Sequence, residues 1–218
     1  MKTFVASCAA LTLAAVVLPA AATAGTVVDT GAPTHSSNHW SVYRNASPFE
    51  FQNLAAQFTL AQATTITDLE GFIAAPAGTF SVSLATSAGS PAQPNGQFFL
   101  QQATTAATSG DWEGLHGLNL SLAAGSYWLI FSSRPDLGDS INNFTMADNA
   151  PNPIGPEAMI HIPVDGDWVR NDALNIGVRV FDNTIVPGGV PEPASWTLMI
   201  SGFGLAGAAL RRRRAVAA

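Results

Sequence analysis

The 218-residue chain has one cysteine, Cys8, and one lysine, Lys2, both within its first ten residues. From residue 25 to residue 187 there is neither. That stretch can form no disulfide, offers no thiol nucleophile or Cys-ligated zinc site, and has no amine for Schiff-base chemistry. It also lacks a Gly-x-Ser-x-Gly elbow, a Ser-x-x-Lys pair, a His-Glu-x-x-His helix, a phosphate loop and a dinucleotide fingerprint. Positive charge is scarce. Arg44, Arg134, Arg170 and Arg179 face fourteen Asp and Glu residues, a net of −10. Such a surface excludes nucleic acid as a partner, repels anionic polysaccharide and tolerates divalent cations.

A sustained helical period is missing as well. Period-two alternation is what remains. Phe80, Val82 and Leu84 alternate with small residues, as do Leu118, Leu120 and Leu122. Tyr127, Leu129 and Phe131 form a third run, and Leu174, Ile176, Val178 and Val180 a fourth. Weaker strand signals lie at 26–30, 56–60, 65–74, 97–102, 158–162 and 167–170, separated by Gly, Pro, Asn and Ser clusters. This pattern predicts an all-β body over residues 25–186: an antiparallel β-sandwich, jelly-roll-like, with one core. Phe80, Val82, Leu84, Leu118, Leu120, Leu129, Phe131, Ile176 and Val178 are its expected core. Leu122-Ala-Ala-Gly-Ser-Tyr127 reads as a tight hairpin turning at Gly125.

The two ends carry addresses. Lys2, the apolar run Phe4–Leu18 and the small-x-small site Ala22-Thr23-Ala24 read as a signal peptide over 1–24, cut before Gly25 by signal peptidase. At the other end, residues 187–190 form a Pro/Gly linker. Pro191 and Pro193 hold the chain extended around Glu192. Residues 194–210 carry no charge and would span about 26 Å as a helix, at ~1.5 Å per residue. Arg211, Arg212, Arg213 and Arg214 follow as a cytoplasmic stop, before a short tail at 215–218.

Pro191, Glu192, Pro193, Trp196, Met199, Ile200, Gly202, Phe203, Gly204, Gly207 and the four arginines resemble the PEP-CTERM sorting signal of Gram-negative bacteria. The match is to the variant with Trp after the PEP box, also called an ice-binding protein C-terminal domain. Thr197 stands where that family has Ala. The resemblance implies recognition by a membrane-embedded exosortase, cleavage near the PEP box and transfer to the cell surface or matrix, after transient anchoring in the inner membrane. Gln57-Phe58-Thr59-Leu60 and Ala124–Trp128 are similar to phrases in secreted "choice-of-anchor" domains, which implies only a β-sandwich.

Candidate sites each have a structural competitor. Asp165, Asp167 and Asp172 offer hard oxygen ligands, calcium being the one metal such a loop would take, but a strand-joining turn also uses Asp-Gly. Asp136, Asp139, Asn142 and Asn143 form a similar loop. His35 and His39 have metal spacing only on a helix, and they lie in a Pro/Ser/Asn-rich segment. Trp40, Tyr43, Trp112, Trp128 and Trp168 are large aromatics able to stack sugars or fill a core; Trp112, between Asp111 and Glu113, is the expected exposed one. Asp111/Glu113 and Asp68/Glu70 have the residue types of a glycosidase pair without a cleft signature. The threonines show no regular ice-binding array. The expectation is an exported, non-catalytic surface or matrix protein associating with exopolysaccharide, with no cofactor. A carbohydrate-binding module using exposed aromatics is the alternative, and a secreted hydrolase a more distant one.

Overall fold

The computed structural model describes residues 23–34, 39–46, 49–90, 92–106, 110–162, 167–186 and 200–203. The compact unit Ala24–Ile185 holds the sheet. Its strands are β1 (Thr23–Asp29), β2 (His39–Asn45), β3 (Glu50–Leu60), β4 (Thr64–Ala74), β5 (Gly78–Ala88), β6 (Gln93–Ala106) and β7 (Asp111–Leu115). They continue as β8 (Leu120–Leu122), β9 (Gly125–Ser132), β10 (Asn143–Ala147), β11 (Glu157–Ile162), β12 (Val169–Arg170) and β13 (Val178–Val186).

The protein is all-β. The strands form one continuous sheet in the order β1-β13-β4-β10-β2-β3-β9-β5-β6, with β11 on β3, β12 on β11, and β7 and β8 on β4. The pairings of β2–β13 are antiparallel. The sheet turns back on itself at β10 and β2, where the ladders are short. β10 meets β4 only at Thr145 and Met146, and β2 meets β3 over Tyr43–Asn45. Leu54, Ala56 and Phe58 of β3, Phe80, Val82 and Leu84 of β5, and Leu129 and Phe131 of β9 then share one core with Ile66, Leu69 and Ile73 of β4 and Val178 and Val180 of β13. Gly71 shows how close the approach is: a Cβ there would lie 2.6 Å from the Phe131 ring.

Seven of the nine expected core residues are buried; Leu118, which precedes β8, and Leu120, on that three-residue edge strand, are half-buried. The expected hairpin around Gly125 does not form. Leu122 pairs with Thr64 of β4, whereas Gly125 pairs with Leu60 of β3. The segment is a crossing between two parts of the folded sheet, alongside the similar crossing Leu60–Thr64. The Tyr127 hydroxyl donates to the Ala123 carbonyl at 3.0 Å and holds it. The run from Leu174 starts later than expected: Leu174 and Ile176 are buried but precede β13. Asn175 has a positive φ of 46°, and the backbone N–H groups of Asn175 and Ile176 donate to the Glu157 carboxylate.

Candidate functional site

A groove of about 270 Å³ lies over the face of β3, β9 and β11 turned away from the main core. Alternation puts it there. Leu54 and Phe131 point inward, so Asn53 and Ser132 point out. Ala55, Trp128, Ile130, Ala158 and Trp168 form a second apolar cluster on this outer face, with Ile160 packed against it. Phe51, Ile130, Ile160 and Phe98 give the groove its apolar lining, and Trp168 closes one side. Arg44, Arg134 and Asp167 are the charged groups on it.

The polar atoms of this face are under-used. Among the described residues, six buried side-chain oxygens have no protein partner. Asn53 Oδ1 and Ser83 Oγ are two of them, and strand register ties both to this face: Asn53 lies opposite Ile160 and Ser83 opposite Ile130. A buried polar group lacking a partner costs about 1–3 kcal/mol, so a face that gathers them is suited to meet water or hydroxyls.

Arg134 is committed: its Nε and Nη2 donate to Asp136 at 2.8 and 2.5 Å, which holds the Asp136 carboxyl down at about 2. Asp139 accepts the Arg134 backbone N–H at 2.6 Å, and burial raises its carboxyl above the usual range. Arg44 is different. Its guanidinium lies 5.1 Å from the Phe51 ring centre and 5.5 Å from that of Phe49, with one long bond of 3.4 Å to the Ser133 carbonyl. It also lines the neighbouring hollow of about 460 Å³ formed with Phe49, Pro135 and Asn142.

The residues singled out in the sequence are scattered. Trp112 is half-buried, with Phe72 edge-on at 5.4 Å and the Arg179 guanidinium 3.9 Å from its ring centre; the protein's own cation occupies one face. Arg179 in turn donates to Asp29 at 3.0 Å. Trp128 is fully buried and Trp168 nearly so, while Trp40 packs against the main core. Asp172 accepts from Arg170, which lowers its pKa, and Asp167 accepts its neighbour's Trp168 N–H at 2.7 Å. Asp165 and His35 lie outside the described residues, and His39 is exposed at the start of β2. Among the described residues no three His, Cys, Asp or Glu side chains gather as a metal site. Asp68 and Glu70 flank His116 at 3.3 and 3.4 Å, and burial raises the Glu70 carboxyl despite His116 and Arg179. Asp111 accepts the Trp112 backbone N–H at 2.8 Å.

One cluster had no sequence signal. Tyr43 of β2, Glu50 of β3 and His161 of β11 converge, with Tyr43 Oη, His161 Nε2 and Glu50 Oε1 mutually 2.9–3.0 Å apart. The bonds from His161 and Tyr43 lower the Glu50 carboxyl, and burial raises the Tyr43 hydroxyl. Tyr43 and Glu50 come from consecutive strands, but His161 lies 111 residues beyond Glu50, so no local spacing could announce the cluster.

Beyond Val186 only residues 200–203 are described, and they are helical with Ile200 and Phe203 exposed. The signal-peptide segment 1–22, the linker 187–190 and the rest of the expected span 194–210 lie outside the described residues. Among the described residues no helix is long and apolar enough to cross a membrane. The decisive comparison falls on this tail. Residues 189–214 match the PEP-CTERM protein-sorting motif. The PEP-CTERM motif marks the chain as an exported protein with a membrane-associated C-terminal sorting signal, processed by an exosortase. Pro191, Glu192, Pro193, Trp196, the Gly202-Phe203-Gly204 centre and Arg211–Arg214 all fall within it. The matched segment leaves the sheet itself unassigned, and no curated protein matches the chain.

Proposed function

We propose that this exported protein is delivered to the cell surface or extracellular matrix of a Gram-negative bacterium and there associates with exopolysaccharide without catalysis. On this reading the folded sheet of residues 25–186 is a jelly-roll-like β-sandwich. The signal peptide is removed by signal peptidase, and the apolar segment 194–210 is a transient inner-membrane anchor.

The groove over β3, β9 and β11 carries the proposal. It combines apolar rings with the Asn53 amide oxygen, which has no protein partner, the Ser132 hydroxyl and a guanidinium. Sugar rings present that same mixture, apolar faces edged by hydroxyls that both donate and accept. Its volume falls just under the ~300–1,000 Å³ of drug-sized sites, so it suits one ring of a longer chain. Among the described residues Asp167 is the one carboxylate lining it, whereas glycoside hydrolysis ordinarily needs two facing each other. The exposed rings of Phe49, Phe98 and Phe99 favour a second, related reading: a carbohydrate-binding module that stacks sugars on aromatics.

The test is retention. The purified exported protein should co-sediment with exopolysaccharide of its producer and release no new reducing ends. Failure to co-sediment defeats the association, and release of reducing ends defeats the non-catalytic reading.

A further inference from the structure

We infer that Arg44 is the receptor for a carboxylate carried on the saccharide, so that the groove selects an acidic sugar, a uronate, over its uncharged counterpart. The inference rests on the exopolysaccharide reading and narrows it to one ligand chemistry.

The argument starts from how the arginines of the sheet are used. Arg134 pairs with Asp136, Arg170 with Asp172 and Arg179 with Asp29. Among the described residues Arg44 alone has no carboxylate partner, in a body whose acids outnumber its arginines fourteen to four. Asp136 feels its charge, but both Asp136 oxygens are engaged by Arg134. Arg44 is not spread on open surface either. It is half-buried, and its N–H donates to the Asn142 carbonyl at 3.0 Å, fixing the backbone where the sheet bends. The side chain lies against the edge-to-face pair of Phe49 and Phe51. Aromatic faces attract a guanidinium while leaving its in-plane N–H donors free for a bidentate acceptor. A carboxylate matches that fork, and such bonds are roughly twice as strong as neutral ones.

The position suits a sugar acid rather than a free anion. Arg44 stands where the groove meets the hollow beside Phe49 and Pro135. A ring seated over Ile130 and Phe98 could place its hydroxyls towards Asn53 and its carboxylate at Arg44. The net charge of −10 argues against anionic polymers only at long range. At physiological ionic strength the field of exposed charges decays over about 8 Å, and on the groove itself the described charges are Arg44 and Arg134 against Asp167.

The experiment is calorimetric titration of the purified exported protein with short oligogalacturonates and oligoglucuronates, with their methyl esters, and with inorganic sulfate. The free acid of at least one series should bind at least tenfold more tightly than its ester. Arg44→Gln should reduce the acid to the level of the ester, Arg44→Lys should retain part of the preference, and Arg170→Gln should change nothing. Equal binding of acid and ester, or indifference to Arg44→Gln, overturns the carboxylate assignment and leaves the exopolysaccharide reading standing. Sulfate competing at the concentration of the sugar acid reveals a simple anion site and overturns it too. No binding of either sugar form to folded protein overturns both readings. The comparison of acid with ester needs no variant, so poor folding of Arg44→Gln does not blunt it.

Discussion

Between pH 5 and 7 the protein should lose stability as the solution becomes more alkaline, and Glu157 is the main reason. Its side chain is 2% exposed, on a strand laid against Ala56. Burial pushes its carboxyl up to about 7, against an unperturbed value of 4.5, although the N–H groups of Asn175 and Ile176 pull the other way. The charge of Asp172 adds to the rise. In this window the folded chain keeps a proton that the unfolded chain has released. Stability is therefore full below about pH 4.5 and declines as pH climbs through 7. The rise from 4.5 to about 7 corresponds to about 3 kcal/mol. For a domain of this size that is roughly 6–12 °C in the thermal midpoint. Asp139 and Glu70, also raised, slope the same way, so a variant must isolate the residue. Glu157→Gln leaves one backbone N–H facing an amide donor and costs about 1–3 kcal/mol at low pH. It should also flatten the profile. Urea melts followed by tryptophan fluorescence at pH 5, 6, 7 and 8 give both curves. A wild-type midpoint that is level or rising across this range, or a variant with an unchanged slope, refutes the reasoning.

Gly71→Ala should destabilise by about 1–3 kcal/mol, because the new methyl meets the Phe131 ring and Met146 with nowhere to go; the same urea melts measure it. Millimolar calcium followed by chelator should leave the thermal midpoint unchanged, since Asp172 is held by Arg170 and Asp136 by Arg134; a rise with calcium would show that a metal site exists. Replacing Pro191-Glu192-Pro193 should leave an uncleaved, membrane-associated product, read by intact mass and fractionation in hosts with and without exosortase. A surface product that retains Arg211–Arg214 in the normal host would defeat the sorting reading.

The strands easiest to read were those facing a core on one side. Phe80-Ser-Val-Ser-Leu84 and Leu129–Phe131 announce themselves because strict alternation is the footprint of a half-buried sheet. β2, β7 and β10 do not announce themselves in this way. His39–Asn45 follows a Pro/Ser/Asn-rich stretch, Asp111–Leu115 contains Gly114 and two acids, and Asn143–Ala147 opens on the second of two asparagines. Local composition spoke for loops, and tertiary pairing overrode it. The crossing at Gly125 was misjudged for a related reason: a glycine turn between apolar runs is the same text whether the runs pair with each other or with different strands. The sorting motif needs no folding partner and was legible throughout. The groove was not, because Arg44, Asn53, Arg134 and Trp168 meet only once the sheet has turned at β2 and β10.

β1 and β13 are neighbours in the sheet although they lie at opposite ends of the body. Thr30 is tied to Val178 through its amide and its hydroxyl, and Asp29 to Arg179. The strand first to leave a translocation channel therefore waits for the last before either is satisfied. Contacts of such span are slow to form. β13, the strand that closes the sheet, ends at Val186, immediately ahead of the sorting motif that begins at residue 189. The seam sits a few residues from the PEP box, so the enzyme that cuts there would meet its substrate as the final strand locks, and quality control and release would share one moment in the life of the chain.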